Sequence, residues 1–449
     1  MAISENSAIT TPTNSTSEGL KRVIGVRGFA ATIINNTIGS GIYVLPAIVS
    51  IQMGAAGILG YLFCAAMLVT IMLCYCEIGS KISATGGSYI YVETAFGPFA
   101  GFVANCLFFF GWGILGSAAA INIVADSLSG IFPVFVNPVA RGLLYLVLLG
   151  TMAIINIRGA KEGVRFVQYI TIIKLLPLFA IILFGFSYIH TGNLQLTHLP
   201  TLKTSGETLV VLFWAFAGFE TSLNVSGEIE DPKRTIPRGI LLGATIIFIF
   251  YILIQIVVQG VLGMQTGHFK DAPLAAVANS LVGPIGATVI LVATIISTFG
   301  NISGDVMSTP RLLFAGANDG LFPKPLGKVH PKFATPYIAV TTYSLLIFIF
   351  AISGGFEKLA VLANATLLLV YLGVVLATIT LRYKKTQGDE GSFKVPGGLI
   401  IPFMAIAAII WLLVSLTFEE MKYTAIFIAV ICVIYLLMRA FQSKKPSPQ

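Results

Sequence analysis

The chain has 449 residues, of which 56% are hydrophobic and only 10% are charged, and its mean hydropathy is +0.91. A soluble domain has roughly 25% charged residues, so this composition excludes a soluble enzyme, a nucleic-acid-binding module and a disordered protein. The formal net charge of +8 does not indicate nucleic acid as a partner, because the basic residues lie in short loops between apolar runs. Such loops are typical of membrane proteins.

The first 20 residues, rich in Ser, Thr and Asn, are typical of a disordered cytoplasmic tail, and we predict a second tail at 442–449. Between the tails lie apolar runs long enough to cross a bilayer, which takes about 20 residues. We place about twelve of them, near 28–51, 55–80, 97–130, 138–157, 166–189, 207–226, 239–263, 283–309, 336–353, 357–381, 399–417 and 423–439. The sequence therefore predicts an all-α polytopic membrane protein.

Cysteine and histidine patterns give no sign of a metal centre. The five cysteines lie within apolar runs and the four histidines lie outside them. Cys74 and Cys76 are too close in sequence for an ordinary disulfide and fit no zinc pattern. We expect no metal, no cofactor and, without a nucleophile–base constellation, no enzymatic activity.

Basic residues predict the orientation, because cytoplasmic loops are enriched in Lys and Arg. With the amino terminus inside, all but six of these residues fall in cytoplasmic loops or tails; the exceptions are Arg141, Lys174, Lys203, Lys270, Lys358 and Lys422. We expect a multi-pass protein of the cell membrane with both termini in the cytoplasm.

Two runs are interrupted by glycine at matching places. Gly39 and Gly41 lie in the first run, and Gly218 lies in the sixth. Two runs after each interruption a Gly-Pro pair opens a long span, at Gly97-Pro98 and Gly283-Pro284. Five spans separate the copies, and an odd number inverts the second copy. Interrupted spans in an inverted repeat indicate a secondary transporter with a midplane site, although glycine is also common in membrane helices.

We therefore divide the chain into a transporter core and a peripheral part. The core is predicted at 21–395, with inverted repeats at about 28–189 and 207–381. Two peripheral transmembrane helices follow at 396–441.

The first interruption is predicted to bind both ends of a zwitterion. It comprises Thr37, Ile38, Gly39, Ser40, Gly41 and Ile42. Two glycines flanking a serine allow the helix to unwind. Unwinding frees amides at the positive end of a half-helix, which suit a carboxylate, and carbonyls, which suit an ammonium. A close helix–helix contact is the alternative interpretation of these small residues.

The second interruption surrounds one glycine with aromatic rings and an acid. It runs through Trp214, Phe216, Ala217 and Gly218 to Glu220. The rings can close a small cavity, and an acid at membrane depth is costly and usually functional. Glu220 is also suited to capping backbone groups freed at the break.

Two further ionisable residues lie inside predicted spans. Burial disfavours the charged form of Lys174, which makes it a candidate for carrying a proton or for supplying a fixed positive charge. A snorkelling or structurally paired lysine is the alternative. Asp305, in the eighth run, either faces the same cavity or is satisfied by the neighbouring backbone.

These motifs resemble those of amino-acid permeases of the amino acid–polyamine–organocation superfamily, which have the LeuT-type fold with broken helices 1 and 6. The resemblance covers most of residues 25–340, in the stretches Gly39–Pro46, Gly86–Tyr89 with Phe96–Pro98, Phe213–Glu220 with Asp231–Pro237, and Asn318–Pro323.

The resemblance implies roles for the interrupted spans. The carboxylate would bind at Ser40, Gly41 and Ile42, and the ammonium at carbonyls of Thr37, Trp214 and Ala217. Trp214 resembles the family's aromatic gate, and Glu220 resembles an acid proposed to sense protons in one exchanger. Lys174 matches a lysine that stands where sodium-coupled relatives hold a sodium ion. The pocket departs from that exchanger at Gly116, Ala119 and Asp305, so its arginine specificity does not carry over.

We interpret the chain as a secondary active permease of an α-amino acid that works by alternating access. Sodium-independent proton symport and exchange are both open, as are neutral and basic side chains. The expected partners are the amino acid, protons as a coupling ion, and the lipid bilayer. A polyamine or amine exchanger of the same fold is the alternative, and sparse intramembrane charge argues against a channel.

Overall fold

The computed structural model describes residue 22 and residues 24–83, 86–158, 163–196, 199–318, 322–333, 335–384 and 391–442. The predicted tails lie outside these residues, apart from Gln442, and so do positions 319–321 of the fourth motif. The described chain is α-helical, and its only extended pairing is an isolated parallel bridge between Ile24 and Ile229. The helices, labelled in chain order, are α1 Val26–Thr37, α2 Gly41–Met53, α3 Gly57–Lys81, α4 Ser88–Phe96, α5 Pro98–Cys106, α6 Gly116–Ser129, α7 Pro138–Arg158, α8 Gly163–Gly185, α9 Leu202–Phe216, α10 Pro232–Leu262, α11 Pro273–Val282, α12 Pro284–Ser308, α13 Pro310–Asn318, α14 Tyr337–Ser353, α15 Phe356–Tyr383, α16 Ile400–Val414 and α17 Phe418–Gln442.

Eight helical stretches of the described chain are long and apolar enough to cross a membrane. The remaining four predicted runs, the first, sixth, ninth and eleventh, form interrupted or shorter helices. The first run divides into α1 and α2, and the sixth divides into α9 and a 3-10 helix at Phe219–Glu228. The ninth and eleventh form α14 and α16, of 17 and 15 residues. The prediction of an all-α polytopic protein with broken first and sixth helices is confirmed.

The matched Gly-Pro pairs occupy equivalent places in the structure. Gly97 ends the short helix α4 and precedes Pro98, the first residue of α5; its φ is 89°. Gly283 ends the short helix α11 and precedes Pro284, the first residue of α12; its φ is 74°. Glycine tolerates a positive φ and proline suits a first helical turn. The same helix–Gly–Pro–helix unit thus occurs in both predicted repeats.

The third run changes its helix type part-way along. Between α5 and α6 the segment Leu107–Leu115 is π-helical, and α15 packs against it. Position 111 accepts only glycine, because a Cβ on Gly111 would collide with the side chain of Thr366. Such π-helical segments are rare and frequently occur at functional sites.

The broken helices lie inside the bundle, and apolar helices surround them. Helix α1 packs against α8 and α10, and α2 packs against α9. By contrast, only 22% of the most apolar stretch of α7 and 11% of that of α17 are buried inside the protein. An exposed apolar surface of this kind is suited to lipid contact.

Candidate functional site: a cavity between two broken helices

The first break is formed where α1 ends at Thr37 and α2 begins at Gly41. The amides of the first turn of α2 have no intrahelical acceptor, and the helix dipole makes this end positive. Ser40 precedes them without a side-chain cap, and its buried Oγ has no hydrogen-bond partner in the described chain. The break therefore presents donors suited to an anionic group.

The carbonyls at the end of α1 are all taken by protein donors. Lys174 Nζ donates to the carbonyls of Asn35 and Ile38, at 2.9 and 2.6 Å. Asn301 Nδ2 donates to the Asn36 carbonyl at 2.7 Å. The Thr37 carbonyl accepts from the amide of Gly39 at 2.9 Å. The carbonyls at the end of α1 are therefore hydrogen-bonded by protein groups alone, without any bound ligand.

Lys174 lies against the first break and is only 1% exposed. It has no carboxylate within ion-pair distance among the described residues. Its ammonium instead faces the carbonyl end of α1, where the helix dipole is negative. Ser297 Oγ adds one donor to the same region, at 3.4 Å from the Ile38 carbonyl and 3.2 Å from the Gly39 carbonyl.

The second break follows Phe216, where Ala217 is extended and Gly218 is left-handed with φ 119°. A Cβ on Gly218 would lie 2.5 Å from the Asn36 carbonyl oxygen, so only glycine fits this crossing. Asn36 Nδ2 also donates to Ser222 Oγ at 3.0 Å. The two breaks are therefore in direct contact.

Glu220 caps the second break. Its Oε2 accepts from the Gly218 amide at 3.0 Å and from the Tyr371 hydroxyl at 2.5 Å. In an uninterrupted helix that amide would donate to the Trp214 carbonyl, four residues earlier. Glu220 thus redirects the amide and frees the Trp214 carbonyl. Its Oε1 is buried without a partner in the described chain.

Tyr251 joins the two breaks. Its hydroxyl lies 3.1 Å from the Thr37 carbonyl and 2.7 Å from the Ala215 carbonyl. This residue was not predicted, since a tyrosine in an apolar run carries no local signal of a binding role. Its role follows only from the tertiary structure.

A small cavity that opens to the outside of the protein lies beside the breaks. Seven of the predicted binding residues line it: Thr37, Gly39, Gly41, Trp214, Ala217, Gly218 and Asp305. The cavity is also lined by five residues that were not predicted, Asn36, Trp112, Ser117, Thr221 and Asn301, and by Gly116, which was named only as a departure from the exchanger's pocket. The asparagines could have been selected, because polar side chains in membrane spans are costly and usually functional.

The other predicted residues lie next to the cavity without lining it. The side chains of Ile38, Ser40 and Ile42 are buried in the first break. Phe216 packs its ring against Tyr61 and Tyr251 in the core. It lies two positions after Trp214, which is about 200° around a helix of 3.6 residues per turn, so the two rings point to opposite sides.

Trp214 borders the cavity with most of its ring buried. It is 8% exposed, and its ring meets Phe356 edge to face at 5.0 Å. A Cβ on Gly41 would lie 3.1 Å from the Trp214 ring, which shows how closely α2 approaches it. The indole Nε1 has no hydrogen-bond partner in the part of the chain that is described.

The fold and these two breaks define a class of protein, a polytopic carrier with a polar cavity at membrane depth. The family model for amino acid permeases matches residues 24–441, and the chain belongs to this family. It is a transporter of amino acids and not an enzyme.

Curated relatives match over nearly the whole chain. The serine/threonine exchanger SteT of Bacillus subtilis is 29% identical over 87% of this chain and 89% of its own length. The branched-chain amino acid permease BcaP of the same species is 25% identical over 95% of each. The methylthioribose transporter of Bacillus subtilis is 26% identical over 94% of each.

Proposed function

We propose that the chain carries a free α-amino acid across the cell membrane by alternating access, without sodium, as a proton symporter or an exchanger. The contact of Lys174 Nζ with the carbonyls of Asn35 and Ile38 carries this proposal. An ammonium at this place supplies the positive charge that a bound cation would otherwise provide, so the broken helix needs no sodium ion.

The α-carboxylate would bind at the first break. The amides of Ser40, Gly41 and Ile42 are at the start of α2, where an anion is favoured. Ser40 Oγ and Thr37 Oγ1 are both buried without partners in the described chain and are available as further donors.

The α-ammonium would bind at the second break. The Thr37 carbonyl already accepts from Gly39 and lies within reach of Tyr251, so it contributes less than the resemblance implied. The Trp214 carbonyl, released by the turn of the Gly218 amide toward Glu220, is the better acceptor. The Ala217 carbonyl, at the break itself, is the second candidate.

Competition for uptake tests the proposed carboxylate site. In proteoliposomes, amino acids should inhibit uptake of a labelled amino acid, whereas their amides and their decarboxylated amines should inhibit it poorly. Losing a charge-assisted contact costs about 1.5–3 kcal/mol, which is at least about tenfold in affinity. If simple amines compete as well as amino acids, the site does not select a carboxylate and an amine exchanger becomes the better description.

Cysteine labelling tests the proposed orientation. In a variant without the five native cysteines, Ser205→Cys should react with an impermeant reagent from outside intact cells. Thr386→Cys, at a position outside the described residues, should react only after lysis. The basic-loop pattern supports this result, since Thr386 follows Lys384 and Lys385. The reverse labelling would contradict the assignment of both termini to the cytoplasm.

A further inference from the structure

Asp305 is a carboxylate on the cavity wall with little compensation from the protein. It lines the cavity, and within the described residues its one side-chain hydrogen bond is from Ser117 Oγ at 3.4 Å. It has no cationic partner within 4 Å among the described residues. An ionised group inside a membrane protein is costly unless it is paired.

The protein groups nearest to Asp305 cannot supply much more. Tyr343 donates its hydroxyl hydrogen to the Gly113 carbonyl at 2.9 Å, beside the π-helical segment. The Ser117 hydroxyl lies between Asp305 and Tyr343, at 3.4 and 3.3 Å, and has a single hydrogen to give. The carboxylate therefore keeps most of its acceptor capacity.

The charges around the breaks are also unequal. The described residues of the two breaks and the cavity include two carboxylates, Glu220 and Asp305, and one ammonium, that of Lys174, which is already held by two backbone carbonyls. A neutral amino acid leaves this imbalance unchanged, because its own two charges cancel. A substrate with a second positive charge corrects it in a region where charge is poorly screened.

The spacing along α12 suits such a substrate. Asn301 contacts the first break, since a Cβ on Gly39 would lie 3.3 Å from its side chain. Asp305 follows one helical turn later, about 6 Å along the axis at 1.5 Å per residue. The four-carbon stem of a lysine side chain spans a comparable gap between the two sites.

The remaining cavity wall offers a basic side chain two further contacts. Gly116 contributes no side chain to the wall, and the partly exposed ring of Trp112 lies on the same face. An aromatic ring attracts a cation placed over its face. Thr37 Oγ1 and Trp214 Nε1, both buried and without partners in the described chain, also border this cavity and mark it as a ligand site.

From these observations we infer that the permease prefers an α-amino acid with a basic side chain, whose ammonium or guanidinium pairs with Asp305. The inference rests on the proposed binding of an α-amino acid at the two breaks. Ser117 orients the Asp305 carboxylate, and Trp112 covers the aliphatic part of the side chain.

The test compares two ligands that differ only in the second amine. Lysine and norleucine compete against labelled lysine for uptake by the full-length protein in proteoliposomes. We expect lysine to inhibit at a concentration at least about thirtyfold lower than norleucine, since an unpaired buried charge costs about 2–5 kcal/mol. In Asp305→Asn this preference should fall to near one, mainly because lysine binds more weakly. Glu207→Gln, the same chemical change at a partly exposed position of α9, should keep the wild-type preference.

The outcomes separate this inference from the proposed function. If norleucine inhibits as well as lysine in the wild type, or if Asp305→Asn weakens both ligands alike, the inference is wrong and amino acid binding stands. If no free amino acid competes, the proposed function itself fails. If Asp305→Asn does not fold, the comparison of lysine with norleucine in the wild type still tests the inference. Ser117→Ala provides a second test, and we expect it to show a smaller preference for lysine.

Discussion

Replacing Lys174 with alanine is expected to reduce transport at least about fivefold while changing substrate binding much less. The substitution leaves the Asn35 and Ile38 carbonyls without their ammonium donor at the buried end of α1. An unsatisfied buried polar group costs about 1–3 kcal/mol, and each 1.4 kcal/mol is a factor of ten. Counterflow measures transport, and ligand-induced thermal stabilisation measures binding.

The matched control is Lys203→Ala on α9, where the lysine side chain is 85% exposed and pairs with Glu207 at the surface. This variant should transport normally, because exposed pairs contribute little. Transport by the wild type should also persist when choline replaces sodium. Normal rates in Lys174→Ala, or a strict sodium requirement in the wild type, would contradict the role assigned to the ammonium.

Gly218→Ala is expected to abolish most transport and to destabilise the protein. The residue has φ 119°, a conformation that costs a non-glycine residue about 1–3 kcal/mol. The added methyl would also press on the Asn36 carbonyl oxygen at 2.5 Å. Because the two breaks touch at this point, relief of the collision requires them to separate. Initial uptake rates and the melting temperature of the purified protein measure both effects.

Gly150→Ala provides the comparison on the outer helix α7. A Cβ there meets nothing within 4 Å, and alanine has the higher helix propensity. This variant should be as active and at least as stable as the wild type. Equal behaviour of the two variants would show that the left-handed backbone at Gly218 is dispensable.

The sequence predicted the breaks well, because their causes are local. Glycine allows a helix to unwind wherever it occurs, and Gly-Pro pairs set the start of a helix whatever packs around them. The positions of Gly39, Gly41 and Gly218 therefore sufficed to place both interruptions. Apolar run length likewise predicted an all-α membrane protein.

The partners of the break were not predictable in the same way. Tyr251, Ser297 and Asn301 reach it from helices that are distant in sequence, and only the packing of α10 and α12 brings them there. The direction of a side chain also depends on the position of its residue around the helix axis. That position cannot be counted from the sequence across a break. Phe216 was expected in the pocket with Trp214, yet it faces the core.

The hydroxyl of Tyr251 touches one carbonyl from each predicted repeat, that of Thr37 and that of Ala215. Neither repeat by itself supplies both the amides of α2 and the freed carbonyl of Trp214. A polypeptide of half this length would therefore carry only one of the two breaks, and would need the other half to pair with it. In the present chain, covalent linkage guarantees that pairing.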